Sequence, residues 1–138
     1  MTAFVLDCSI AVTWCFEDEA TPATDALLDR LGGEAAAAPA IWPLELGNVL
    51  VMAERRGRIS SAKAAEFLAL VEDLSILIDD ETPQRALREV LALARAAGLT
   101  TYDAAYLELA MRLGVPLATK DAHLRDAAVK LGSPLLPV

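Results

Sequence analysis

Histidine occurs once and cysteine twice in the 138 residues, which leaves no basis for the nitrogen-and-sulfur ligand sets of zinc sites. Cys8 and Cys15 form no CxxC pair and are too few for a disulfide framework. Both lie among apolar residues and read as small core side chains. Absent too is a uniformly apolar run of the roughly 20 residues that cross a bilayer. The richest stretch, Ala35 to Ala53, is broken by Pro39, Pro43, Glu45 and Asn48. The start, MTAFVLD, lacks the basic segment and small-residue cleavage site of a secretory signal. The expectation is a soluble, cytoplasmic protein without membrane contact. Basic residues are outnumbered, 12 Lys and Arg against 20 Asp and Glu, for a net charge of −8. Such a balance argues against broad electrostatic capture of nucleic acid, which normally uses a basic face.

What is present is a chain 55% hydrophobic, far too apolar for disorder and long enough to bury a core as one domain over residues 1–138. Short apolar runs alternate with longer helical patterns, the mark of an α/β fold with a mostly parallel sheet. Ala3 to Leu6 is apolar on both faces, as in a central parallel strand. Helical patterns follow from Ser9 to Phe16, from Pro22 to the Gly32-Gly33 stop, and from Pro43 to about Arg56. Another is capped by Ser60 or Ser61, one runs from Pro83 to Gly98, one is capped by Thr101 and ends at Gly114, and the last runs from Asp121 to about Leu131. Strands are expected at Ala36 to Ile41 (despite the poor strand propensity of alanine), Ile76 to Ile78 and Pro116 to Ala118. Leu135-Leu136 reads as an edge strand.

In open parallel sheets ligands bind beyond the carboxyl ends of strands, where helices begin. Four acids fall at such places: Asp7, Glu45, Asp103 and Asp121. Each also has a plain structural explanation, as an N-cap for Asp7 and Asp121 or as a complement to a helix dipole for Glu45 and Asp103. Helical spacing weakens that explanation for two of them. Glu45 shares a face with Asn48, Val49 and Met52, and Asp103 with Tyr106, Leu107 and Ala110. A carboxylate facing protein needs a partner, and those faces carry no Lys or Arg. A cation held by several carboxylates would supply one, and oxygen-only ligation suits Mg²⁺ or Mn²⁺.

Smaller features attach to these acids. Ser9 and Thr119 flank Asp7 and Asp121 at two residues and could orient a carboxylate or cap a helix. Asn48 could steady Glu45 or be an exposed amide. Arg55, Arg56 and Arg58 form the sole basic cluster, either an RNA- or partner-contacting edge or compensation of a helix end. Lys120, beside Asp121, is placed to meet a phosphate or to sit solvated in a loop. Trp14, Trp42, Phe16 and Phe67 read as core or interface, and His123 as a surface residue.

The ordered motifs VLDCS at Val5 to Ser9, WPLELGNVL at Trp42 to Leu50, GRIS at Gly57 to Ser60, LTTYDAAYLELA at Leu99 to Ala110 and PLATKDAHL at Pro116 to Leu124 give a chain that resembles the PIN-domain family. Within it, the chain resembles specifically the VapC-type toxins of prokaryotic toxin–antitoxin pairs. The resemblance covers essentially the whole sequence. It implies a three-layer α/β/α fold with Asp7, Glu45, Asp103 and Asp121 as an acidic quartet, and Ser9, Asn48 and Thr119 as supporting groups. It further implies an endoribonuclease dependent on Mg²⁺ or Mn²⁺, a homodimer, and a VapB-like antitoxin as silencing partner. Two rival readings are a catalytically idle binding protein and a phosphoacceptor receiver domain. The latter would use Asp79-Asp80 and Lys120, which stand in the wrong order for it.

Overall fold

Phe4, Val5 and Leu6 are completely buried because their strand lies inside the sheet with protein on both faces. The computed structural model describes residues 2–138. Strand β1 (Thr2–Leu6) has parallel neighbours on each side, β2 (Ala35–Ala38) and β4 (Leu117–Ala118), and β3 (Ile76–Ile78) pairs with the outer side of β2. The order is β3-β2-β1-β4. The sheet is therefore all-parallel among the described residues and flanked by helices, an α/β architecture. Four alanines make an inner strand although alanine has low strand propensity. Burial between β1 and β3 overrides local preference.

The helices are α1 (Cys8–Ala11), α2 (Pro22–Arg30), α3 (Trp42–Arg55), α4 (Ser61–Glu72), α5 (Thr82–Arg85), α6 (Glu89–Ala97), α7 (Thr101–Leu113) and α8 (Ala122–Lys130). Their starts follow capping chemistry. Thr21 and Thr24 form a reciprocal capping box on α2 with Pro22 at its first turn, and the Ser60 hydroxyl accepts from the Lys63 amide on α4. Helix α7 is the spine of the fold. Seven successive residues, Ala104 to Ala110, are buried, so the helix is enclosed on all sides. No helix among the described residues is long and apolar enough to cross a membrane.

Several boundaries differ from expectation, each for a local reason. The second strand stops at Ala38 instead of Ile41. Pro39 brings no N–H to the ladder, and the Ala40 amide turns to Thr82 Oγ1. The stretch after β1 starts at Cys8 and tightens to a 3-10 turn over Val12–Trp14, where the buried Thr13 hydroxyl donates to the Ile10 carbonyl. The helix expected from Pro83 to Gly98 is two helices, because Arg88 leaves helical backbone at φ −122, ψ −101. Arg85 is tied to Glu108, while Val90 and Ala94 pack with Ala104 and Ala105. One straight axis does not serve both anchors. The cap of α7 is Thr100, not Thr101. Leu135-Leu136 makes a single bridge to Leu117 in place of a strand, hemmed by Pro134 and Pro137.

Candidate active site

The strand order reverses direction at β1, since the chain moves outward through β2 and β3 and later returns to the other side as β4. Such a switch point opens a crevice at the carboxyl ends of the strands. Asp7 follows β1 directly, and its amide extends the ladder by donating to Ala118 O at 3.0 Å. Asp121 follows β4 and caps α8, its Oδ1 accepting from the Leu124 amide at 2.9 Å. Glu45 stands in the first turn of α3 and Asp103 in that of α7. All four line one pocket of about 330 Å³, together with Cys8, Ser9, Val12, Asn48 and Val49.

Asp7 is the most enclosed of the four, with 7% exposure. Its side chain makes no capping bond to α1, so the N-cap explanation does not hold for it. Instead its Oδ2 accepts from the Ser9 hydroxyl at 2.6 Å and the Thr119 hydroxyl at 2.7 Å. Those hydroxyls in turn accept from the amides of Lys120 (2.9 Å) and Asp121 (3.1 Å). The loop after β4 and the residues after β1 are thus laced together through a single carboxylate oxygen. The Thr119–Lys120 backbone is also held from outside, by Arg125 donating to Thr119 O at 2.7 Å.

Glu45 has a partner that helical spacing did not announce. The Tyr106 hydroxyl, on a wholly buried side chain of α7, donates to Glu45 Oε1 and joins the helix bearing Asp103 to the helix bearing Glu45. Sequence placed Tyr106 on the face of Asp103 but gave no sign that its phenol reaches a carboxylate 61 positions away. Asn48 lines the pocket as an exposed amide.

Burial first, and charge crowding after it, show in the ionisation of the site. Burial raises the pKa of Asp7 above the ordinary range, against the opposing hydrogen bonds of Ser9 and Thr119. Burial likewise raises Glu45, and the nearby charges of Asp7 and Asp103 add to the effect while Tyr106 works against it. For Asp103 the causes are burial, then the charges of Asp121 and Asp7. The Cys8 thiol is pushed up to about 12, by burial and then by Asp7 and Glu45, so it is neither a thiolate ligand nor a nucleophile at neutral pH. Burial also pushes up the Tyr106 phenol, which stays protonated and keeps donating.

No Lys or Arg forms an ion pair with any of the four acids among the described residues. A different acidic group, Asp79, Asp80 and Glu81, brings its oxygens within 4.8 Å of one another. That group already has a cation: Arg112 donates to Asp79 at 2.7 Å and to Glu81 at 3.3 Å. The four pocket acids have no such Lys or Arg partner among the described residues. An all-oxygen donor set of this kind fits a hard divalent ion.

The basic residues divide. Arg58 is occupied within the molecule, pairing with Asp18 at 3.0 Å and Glu19 at 2.9 Å and lying 3.9 Å over the Phe16 ring. Arg55 reaches only Met52 Sδ, at 3.8 Å, and Arg56 is exposed. Lys120 is bound to the site through its amide, while its ammonium donates to the Glu19 carbonyl at 3.3 Å.

A family model described as PIN domain matches residues 4–130. Among solved structures, the chain is similar to PAE2754 from Pyrobaculum aerophilum, known from its crystal structure. The likeness has a TM-score of 0.70 and 26% sequence identity, over 91% of this chain and 84% of that one. No protein with a curated description matches.

Proposed function

The chain belongs to the PIN domain family, whose members are typically metal-dependent nucleases, and from that premise we propose that it is an endoribonuclease dependent on Mg²⁺ or Mn²⁺. In this reading it is a VapC-type toxin, a single domain over residues 1–138, silenced by a VapB-like antitoxin and working as a homodimer. One observation carries the nuclease reading: four carboxylates gather in a pocket at the switch point with no protein cation among them. Asp7, Asp103 and Asp121 would hold the ion, and Glu45 would either join them or take a proton from the attacking water.

A divalent ion bound there lowers the pKa of water and offsets charge on the phosphate. The chain's own residues supply the rest. Ser9 and Thr119 fix Asp7 through Oδ2, and Asp121 is fixed by its bond to the first turn of α8. Tyr106 occupies Glu45 Oε1 and leaves Oε2 outside that bond. Four acids amount to half of the −8 net charge, so a divalent ion relieves much of the local repulsion toward RNA. The remaining acidity fits an antitoxin with a basic segment, whose arginines could pair with the carboxylates.

The decisive experiment is incubation of the purified chain with RNA and Mn²⁺, with EDTA as control. Attack by external water leaves 5′-phosphate and 3′-hydroxyl ends. Cyclic-phosphate products, or cleavage indifferent to EDTA, would overturn the reading.

Two further outcomes are expected. Millimolar Mn²⁺ should raise the melting temperature by several degrees, since an ion at about 100 times its Kd adds about 2.7 kcal/mol to the native state. The gain should shrink on acidification, as protons compete for Asp7, Glu45 and Asp103, whose raised pKa values bring that competition to higher pH than ordinary carboxylates would. Differential scanning fluorimetry across pH reads both effects. Tyr106→Phe preserves the buried ring and deletes the donor to Glu45. It should raise the Mn²⁺ concentration for half-maximal cleavage by about tenfold to a hundredfold, with a far-UV spectrum like that of the parent chain.

A further inference from the structure

Beside the carboxylate pocket runs a second cleft of about 330 Å³ whose lining includes Ile41, Pro83, Leu87, Val90, Tyr102 and Ala105. None of its lining residues is charged, in a chain where 23% of residues are. Its rim carries Tyr102, 60% exposed, and Leu87, 82% exposed. Every other Phe, Tyr and Trp side chain among the described residues is buried or partly so. One wall is fixed by Thr82, which donates to Asp79 at 2.9 Å and accepts from the Ala40 amide at 3.1 Å.

The two clefts share their supports. Tyr102 and Asp103 are consecutive in the first turn of α7 and diverge by about 100° around its axis, one toward each cleft. At the start of α3, Ile41 lines the apolar cleft and Glu45, about one turn later, lines the acidic one. We propose that the apolar cleft is a nucleobase subsite, with Tyr102 as the stacking platform for a base next to the phosphodiester held at the carboxylates. The proposal rests on the nuclease reading and deepens it.

Charge favours this occupant. In a protein of net charge −8 phosphates meet repulsion over much of the surface, whereas a base is uncharged and meets none in a neutral cleft. Base–aromatic stacking tolerates any base and is strong enough to position a single-stranded substrate. An acidic nuclease with no basic face thereby has a way to hold RNA that does not depend on broad electrostatic attraction. Tyr102 acts here as a substrate-contacting residue and takes no part in ion binding.

The test combines a protein and a substrate change. Single-stranded RNA with a mapped cleavage site is compared with the same oligonucleotide made abasic beside the cleaved bond, using the native chain, Tyr102→Ala and Tyr102→Phe. Tyr102→Ala should lower kcat/KM by about tenfold to a hundredfold, and Tyr102→Phe should keep most of it. The abasic substrate should impose a similar loss on the native chain and little further loss on Tyr102→Ala. The Mn²⁺-induced melting shift should be the same in all three proteins. Losses that simply add would overturn the subsite. Tyr102→Ala turning a dimer into a monomer in sedimentation, with additive losses, would overturn it and assign the cleft to a second copy of the chain. No cleavage of any RNA by the native chain would overturn the nuclease reading and the subsite together, whereas cleavage with additive losses overturns the subsite alone.

Discussion

Asp7→Asn should slow Mn²⁺-dependent cleavage of RNA by about a thousandfold and yet raise the melting temperature of the metal-free protein at neutral pH. The two signs have one cause. Asp7 is 7% exposed and lies near the charges of Asp103 and Glu45, so its ionised form is held at a loss, and burial raises its pKa above 3.8. Between 3.8 and that raised value the native state holds a proton the unfolded chain has released. Stability therefore falls as pH rises through this window and stays lower above it. Asparagine keeps an oxygen for the hydroxyls of Ser9 and Thr119 and carries no charge at any pH. The variant's advantage should be present at neutral pH, disappear as pH falls below 3.8, and amount to a few degrees. Added Mn²⁺ should reverse the ranking, because the native chain gains an ion that the variant holds poorly. Thermal melts with and without Mn²⁺, beside a cleavage assay, test all of this. A variant that melts lower without metal, or that still cleaves, would sink it.

Arg112→Met is expected to have the largest effect on stability, a loss of about 3–5 kcal/mol. Arg112 bonds to Asp79 at 2.7 Å, to Glu108 at 2.9 Å and to Glu81 at 3.3 Å, with side-chain exposures of 15% for the arginine and 10% for both Asp79 and Glu108. Methionine covers the stem but leaves Asp79 as a nearly buried charge without its cation. Arg85, 3.2 Å from Glu108, still serves that residue. The pH dependence separates charge from packing. Burial alone would raise Asp79, but the Arg112 and Thr82 bonds and the Arg112 charge outweigh it and hold the carboxyl below 3.8. A lowered pKa contributes stability above 3.8 that is lost as pH falls through the folded value. In the variant the burial effect is unopposed by Arg112. The gap between the proteins should narrow as pH drops below 3.8, as denaturant titrations at several pH values can show. A constant gap would point to packing, and a gap under about 1 kcal/mol would place the pair among surface ion pairs.

The positions of the four acids were legible because each falls where a strand ends or a helix starts, and these boundaries follow from periodicity and turn residues. The buried β1 and the alanine strand were legible for similar reasons, the latter from its place between helices against its own propensity. What stayed hidden depended on tertiary partners. Nothing between Ala86 and Arg88, no Gly and no Pro, announces the break between α5 and α6, which arises from two separate anchors on α7. The adjacent threonines at 100 and 101 left the cap ambiguous, and only the bond to the Asp103 amide resolves it. Ser9, two positions from Asp7, and Thr119 were legible as hydroxyls that could orient a carboxylate. It was not legible that Thr119 reaches Asp7 across 112 positions, nor that Tyr106 reaches Glu45 across 61. Arg58 shows the opposite limit: it looked available in a basic cluster, yet it is held by Asp18 across 40 positions. Local pattern located the acids but could not tell which charges were already answered.

Strand β4 is only two residues long, and its outer side is completed by residues that follow α8. The Leu117 amide donates to Pro134 O at 2.9 Å, and the Leu136 amide donates to Leu117 O at 3.0 Å. Thr119 and Asp121 hang directly from that strand. A ribosome therefore makes all four acids before it makes the segment that braces the strand from which Thr119 and Asp121 hang. On the proposed function, a partly translated chain still attached to its own messenger would carry a loose, incomplete pocket.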